Sequence, residues 1–167
     1  MLRLIKVIEA VSLWAARLSA ATLGLMTLLI LLEIFLWNAF KTSTLIADEY
    51  CAYGLAAIIF LGAGFCLKDK GHIRITLVLG LLPARLAAAI TCGATAVTTV
   101  FMGYLWYYLF KMVGATIRYQ TTSGTLTNTP LWIPQLVMLI GAAAFTLQLL
   151  ATTLRTGQAV KSGEEVI

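Results

Sequence analysis

Four long apolar stretches, separated by short polar segments, constrain this chain more than any other feature. A helix needs roughly 20 apolar residues to cross the hydrocarbon core of a bilayer. Such stretches run over about 18–40, 47–67, 86–110 and 131–154. Only 11% of the residues are charged, against about a quarter in soluble domains. The sequence therefore predicts an all-α membrane protein with four transmembrane helices.

The distribution of basic residues predicts how these helices are oriented. Of the 12 Lys and Arg residues, nine lie before the first helix, between the second and third, or after the fourth. Because basic residues accumulate on the cytoplasmic side, both termini are expected in the cytoplasm. The aromatic residues Trp37, Trp106 and Trp132 are expected at the outer ends of their helices, as in an interfacial aromatic belt.

The segments that flank the transmembrane domain at 18–154 are expected at the cytoplasmic side. Residues 1–17 are predicted to form an amphipathic segment along the membrane surface, and residues 155–167 a polar tail. The segment KDKGHIRITLVLGLLP concentrates charge and holds the single histidine. Gly71 and His72 are interpreted as a structural turn, followed by a short interfacial helix that is too short to span the bilayer.

The sequence lacks the residue patterns of the common enzyme and cofactor sites. The three cysteines form no CxxC pair, and one histidine cannot supply a bis-histidine haem site or a metal-ligand cluster. No phosphate-binding loop or basic-aromatic nucleic-acid motif is present. We therefore expect no cofactor, no metal, no nucleic-acid partner and no enzymatic activity; membrane lipid is the expected surrounding of the basic residues.

Glu33 is the acidic residue inside an apolar stretch, and two interpretations of it remain open. An ionisable group in a transmembrane helix is costly unless it faces protein or water. Glu33 could be an ion or proton site, or a hydrogen-bonded carboxyl at a helix contact, and the second is favoured because no second intramembrane carboxylate accompanies it.

Small-residue stripes are expected to allow close helix packing: Ala87, Thr91, Thr95, Thr99 and Gly103 on the third helix, and Ala144, Gln148 and Thr152 on the fourth.

An ordered set of short motifs points to a family. The acidic pair in ADEY is followed by FLGAGFCLKDKGHIRITLVLGLLP and then by TTSGTLTNTPLWIP. Together they resemble the small membrane subunit of tripartite ATP-independent periplasmic (TRAP) transporters over roughly residues 18–154. Ile46 and Trp37 stand where that family often has a tryptophan and an arginine.

The resemblance implies a scaffold subunit in the cytoplasmic (inner) membrane of a bacterium or archaeon. Its partners would be a large permease subunit and a periplasmic substrate-binding protein, in a sodium-driven importer of an organic acid. The candidate contacts with these partners are Glu33, Lys41, Asp48, Glu49 and Arg118. The alternative is a stand-alone four-helix carrier or channel that uses Glu33 as its ion or proton site.

Overall fold

Four long helices make up most of the protein. The computed structural model describes residues 2–69 and 83–162. The helices are α1 (Leu2–Phe40), α2 (Ala47–Lys68), α3 (Ala84–Tyr119) and α4 (Trp132–Ser162). Within these two ranges the only β-type pairing is an isolated bridge between Thr122 and Pro130. All four helices are long and apolar enough to cross a membrane, as predicted.

The helices differ widely in length. At a rise of 1.5 Å per residue, the 22 residues of α2 extend about 33 Å, close to the roughly 30 Å of a hydrocarbon core. The 39 residues of α1 extend about 58 Å and the 36 of α3 about 54 Å, more than the bilayer with its headgroups. Consequently α2 is the helix whose length matches the hydrocarbon core most closely.

Three of the predicted boundaries lie inside longer helices; one of them is the predicted end of the fourth helix at 154, beyond which α4 continues to Ser162. Helix α1 runs without a break through the segment predicted as interfacial, residues 1–17, from Leu2 onward. Helix α3 continues beyond the predicted end at Phe110 to Tyr119. Trp106 thus lies well inside α3 rather than at its end, and Lys111, expected in the connection, is part of the helix. The predicted turn at Gly71 and His72, and the short interfacial helix after it, lie outside the described residues.

Local charges and hydrogen bonds stabilise both ends of α2 and the last turn of α3. Asp48 and Glu49 occupy the first turn of α2, and Lys68 its last turn, which complements the helix dipole at both ends. At the end of α3, Gln120 adopts a left-handed conformation with φ 50°. The N–H of Gln120 donates to the carbonyl of Ile117 at 3.3 Å, and the N–H of Thr121 donates to Thr116 at 3.2 Å. This pair of bonds is a Schellman motif, which satisfies carbonyls that the helix leaves free.

Three of the helices pack around one another, and α3 lies at one side of this group. Helices α1, α2 and α4 contact each other, whereas α3 packs chiefly against α4. Small residues fill the contacts of α1, with Ser12 fully buried and Ala15 and Ser19 buried. The hydroxyl of Ser19 donates to the carbonyl of Ile58 at 3.1 Å. Small side chains let helix backbones approach closely in lipid, where the hydrophobic effect adds little between helices.

At Gly141, α4 approaches the backbone of α2 closely. A Cβ atom at this position would lie 2.6 Å from the carbonyl carbon of Phe60 in α2. Only glycine leaves room for the α2 backbone at that distance. Neither predicted stripe includes Gly141; on the α3 stripe, the hydroxyl of Thr99 contacts that of Thr153 in α4 at 3.2 Å, but nothing lies within 4 Å of a Cβ built at Gly103.

Candidate functional site: the loop end of the bundle

The predicted contact residues belong to one end of the bundle, which we call the loop end. It consists of the connection 41–46 between α1 and α2, the connection 120–131 between α3 and α4, and the helix turns that adjoin them. The candidate residues Glu33, Lys41, Asp48, Glu49 and Arg118 all lie in these connections or in the helix turns nearest to them.

Glu33 holds the shorter connection against α1. Its carboxylate accepts hydrogen bonds from the hydroxyls of Ser43 and Thr44, and from the backbone N–H of Thr44 at 3.0 Å. The connection reaches this position through left-handed conformations at Lys41 (φ 53°) and Leu45 (φ 58°). Glu33 is therefore a hydrogen-bonded carboxyl, as the favoured interpretation had it, but its partners belong to a connection rather than to a neighbouring helix.

Glu49 binds the longer connection, as Glu33 binds the shorter one. Its carboxylate accepts hydrogen bonds from the hydroxyls of Thr125 and Thr127, and from the hydroxyl of Tyr53 at 2.8 Å. These bonds join the first turn of α2 to the connection between α3 and α4. The two acidic residues thus hold the two connections of the loop end, one each.

The longer connection is also ordered by its own hydrogen bonds. The N–H of Ser123 donates to the carbonyl of Thr129 at 2.8 Å, and the N–H of Thr129 donates to the hydroxyl of Ser123 at 3.0 Å. The N–H of Leu131 donates to the carbonyl of Thr121 at 3.1 Å. Ser123 and Thr129 are buried although both are polar. Buried polar groups are tolerated when they are hydrogen-bonded, so the connection forms a compact surface element.

The other three candidate residues are exposed and take no part in these two clusters. Lys41, Asp48 and Arg118 all lie on the surface of the loop end. The one ion pair in the described part of the chain is elsewhere, between Arg155 of α4 and Glu9 of α1. Lys41, Asp48 and Arg118 therefore present charge outward, where exposed pairs with a partner contribute about 0–1 kcal/mol each.

An open groove of about 370 Å³ lies between α1, α2 and α4 next to the loop end. Its walls are almost entirely apolar; Tyr50, Tyr53, Thr22 and Thr129 supply the hydroxyls. No Asp, Glu, Lys or Arg lines it. Across residues 2–69 and 83–162, no three His, Cys, Asp or Glu residues converge as metal ligands. The groove therefore offers hydroxyls but no charged group to an ionic solute.

Two polar contacts away from the loop end were missed by the sequence reasoning. The hydroxyl of Ser12 in α1 donates to Oε1 of Gln148 in α4 at 3.0 Å, and both residues are buried. Arg155 pairs with Glu9 further along the same two helices. Gln148 belongs to the predicted stripe on the fourth helix, where packing was expected. The signal for its partner was the spacing of Ser12, Ala15 and Ser19, which places small residues on one face of α1.

Comparison with known proteins identifies the family. No curated protein and no solved structure shows significant similarity to the chain. A family profile described as the DctQ component of tripartite ATP-independent periplasmic transporters matches residues 26–158. That range covers α2, α3, both connections of the loop end, the last 15 residues of α1 and most of α4. With its four membrane-spanning helices, the chain is a multi-pass membrane protein that belongs to the DctQ family of TRAP transporter components, as the ordered motifs predicted.

Proposed function

We propose that this protein is the scaffold subunit of a TRAP-type importer and that it carries no substrate itself. The large permease subunit would move an organic acid together with sodium ions, after a soluble periplasmic protein has captured that acid. The subunit would lie in the cytoplasmic membrane of a bacterium or archaeon with both termini in the cytoplasm. In that orientation the loop end faces the periplasm.

The observation that carries this proposal is the hydrogen bonding of two acidic residues of the loop end, Glu33 and Glu49. Glu33 accepts three hydrogen bonds from the connection that it holds. Glu49 accepts two from its connection and a third from Tyr53 of α2. A carboxylate occupied in this way is a poor transient site for a transported ion, because each transport cycle would release those connections. The arrangement instead supports a fixed surface, with Lys41, Asp48 and Arg118 exposed around it, against which a binding protein can dock.

The apolar groove supports the same proposal. A solute pathway for an organic acid needs polar or charged groups along its length, because desolvating a carboxylate without partners is costly. The groove between α1, α2 and α4 presents hydroxyls and apolar side chains only. The substrate pathway is therefore assigned to the large subunit.

Reconstitution in liposomes with an imposed sodium gradient tests the proposal. This chain alone should give no uptake, the large subunit with the binding protein should give little, and all three proteins together should transport. Uptake by this chain alone would overturn the scaffold proposal in favour of a stand-alone carrier. In that case Glu33→Gln, which removes the ionisable proton site, should abolish the uptake.

A further inference from the structure

The depth of α3 in the membrane follows from hydrogen bonds of the connection between α3 and α4, which is joined to α2. Helix α2 is just long enough to cross the hydrocarbon core. Glu49, in its first turn, is hydrogen-bonded to Thr125 and Thr127 in the connection that follows α3. The N–H of Leu131, next to the start of α4, donates to the carbonyl of Thr121, just after α3, at 3.1 Å. The end of α3 at Tyr119 therefore lies close to the level at which α4 and α2 begin.

From this level, Lys111 and the tyrosines before it are expected to lie within the hydrocarbon core. Lys111 is about 12 Å from Tyr119 along the helix axis, and Tyr104 about 22 Å, at 1.5 Å per residue. A lysine near the membrane surface usually extends its side chain toward the headgroups. Here Nζ of Lys111 lies 4.7 Å from the centre of the Tyr107 ring, one turn farther from the loop end. The charge is thus directed toward the interior of the membrane.

Lys111 belongs to the helix face that points away from the bundle. Leu109, Val113 and Thr116 are buried on the side that packs against α4. Phe101, Tyr104, Tyr108 and Lys111 recur at helical spacing on the opposite side, and all four are exposed. The rings of Tyr104 and Tyr108 contact each other with centroids 4.7 Å apart. We call these four residues the outer face of α3.

The charge of Lys111 has no acidic counterpart in the described part of this chain. The ion pair found there joins Arg155 and Glu9. A second copy in the same orientation would supply no carboxylate beside Lys111 either. The carboxylates of Glu33 and Glu49 are bonded to the two connections, Asp48 adjoins Glu49 in the first turn of α2, and Glu9 and Asp69 lie toward the opposite end. An ionisable residue at membrane depth is costly against lipid and is retained where it meets a partner group.

We propose that the outer face of α3 binds a transmembrane helix of the large permease subunit, and that this helix places an Asp or Glu side chain beside Lys111. This inference rests on the proposed function, since it names the surface through which the scaffold meets the large subunit. The aromatic residues supply the packing area of the contact, and the lysine selects the partner by charge complementarity.

Site-specific photocrosslinking in the assembled transporter tests the location of this contact. A benzophenone amino acid replaces Tyr104, and, as the matched control, Leu28, which is equally exposed on α1 (62% and 64%). The complex is co-expressed with its large subunit and irradiated in the membrane. The probe at 104 should give an adduct with the large subunit at roughly ten times the yield of the probe at 28. An adduct with a second copy of this chain, or with lipid alone, would refute the proposal.

Charge substitutions test the role of Lys111. Lys111→Glu should reduce the large subunit retained on the affinity-purified scaffold about tenfold, Lys111→Gln should reduce it less, and Lys111→Arg should keep it. Arg17→Glu is the control, because Arg17 likewise lies over an aromatic ring, Trp14, at 5.0 Å, but on α1. Full retention by Lys111→Glu would overturn the proposed carboxylate contact.

The two proposals fail in different ways. If the wild-type chain retains no large subunit, the scaffold function fails. If the complex forms and transports but the probe at 104 does not reach the large subunit, only the assignment of the outer face fails. Each Lys111 variant is first purified alone and compared with wild type by size-exclusion chromatography. If a variant elutes differently from wild type, its retention result is set aside and the crosslinking experiment, which keeps the native lysine, decides.

Discussion

Glu49 and Thr127 lie 78 positions apart in the sequence, yet the hydroxyl of Thr127 donates a hydrogen bond to the carboxylate of Glu49. Thr125 donates to the same carboxylate. Through this contact the first turn of α2 determines where the connection between α3 and α4 lies. The surface of the loop end therefore depends on one side chain of a helix that is not adjacent in sequence.

The first prediction concerns this anchor. Glu49→Ala removes the acceptor of three hydroxyl groups, so the connection 120–131 should open more often. Hydrogen exchange at the backbone amides of Ser123 and Thr129 should accelerate about tenfold or more, because their mutual bonds lose their support. Asp48→Ala is the matched control, since Asp48 is the exposed neighbour in the same helical turn. Equal exchange rates in the Glu49→Ala and wild-type proteins would show that the connection's own hydrogen bonds keep it ordered without Glu49.

The second prediction separates the charge of Glu33 from its hydrogen bonding. In Glu33→Gln the side-chain oxygen still accepts from Ser43 and Thr44, so assembly and transport should remain close to wild type. In Glu33→Lys the acceptor is lost and a cation faces the same donors, so assembly of the complex should fail. Co-purification of the three components and uptake into liposomes measure both effects. Loss of uptake in an assembled Glu33→Gln complex would favour an ion-coupling role instead.

Features that belong to a single helix were predictable from the sequence. Hydropathy alone located four helices, and the pair Asp48 and Glu49 marked the start of α2. The end of α3 was placed too early, because Lys111 interrupts the apolar pattern. A charged residue does not break backbone hydrogen bonds, however, and the helix continues until Gln120 adopts a left-handed conformation.

Contacts between distant parts of the chain were not predictable in the same way. Ser12 and Gln148 are 136 positions apart, and their hydrogen bond depends on which faces of α1 and α4 meet. Similarly, the threonines of the longer connection gave no sign of binding to Glu49. Periodicity identifies the small face of one helix, but the partner of that face depends on the packing of all the helices together.

The third prediction concerns the buried contact between Ser12 and Gln148. In a double-mutant cycle of Ser12→Ala and Gln148→Leu, the coupling energy should be about 0.6 kcal/mol and at most about 1.7, the range measured for hydrogen bonds between membrane helices. Reversible unfolding of the purified chain in detergent provides the free energies. Thr27→Ala is the control on the same helix, because the Thr27 hydroxyl is exposed and bonds only to its own helix at Leu23. A coupling energy of zero would mean that the two residues act independently.

The fourth prediction concerns the orientation in the membrane. A reporter enzyme that is active only in the periplasm should be active when it is fused after Lys41 or Thr122, which belong to the loop end. Fused after Lys70 or Ile167, the same reporter should be inactive. The expected pattern follows from the excess of basic residues on the side of the termini. Activity after Lys70 would reverse the proposed orientation and with it the assignment of the loop end to the periplasm.

The fifth prediction compares a glycine that is packed against a neighbouring helix with one that has open space around it. A Cβ atom at Gly141 would lie 2.6 Å from the carbonyl carbon of Phe60, whereas one at Gly114 of α3 would have no heavy atom within 4 Å. Alanine has the better helix propensity in both places, so Gly114→Ala should stabilise the chain by about 0.5–1 kcal/mol. Gly141→Ala should instead destabilise it by about 1–3 kcal/mol, because α2 must move away from α4. Thermal unfolding of the two variants in the same detergent measures both changes, and stabilisation by Gly141→Ala would contradict the close approach of the two helices.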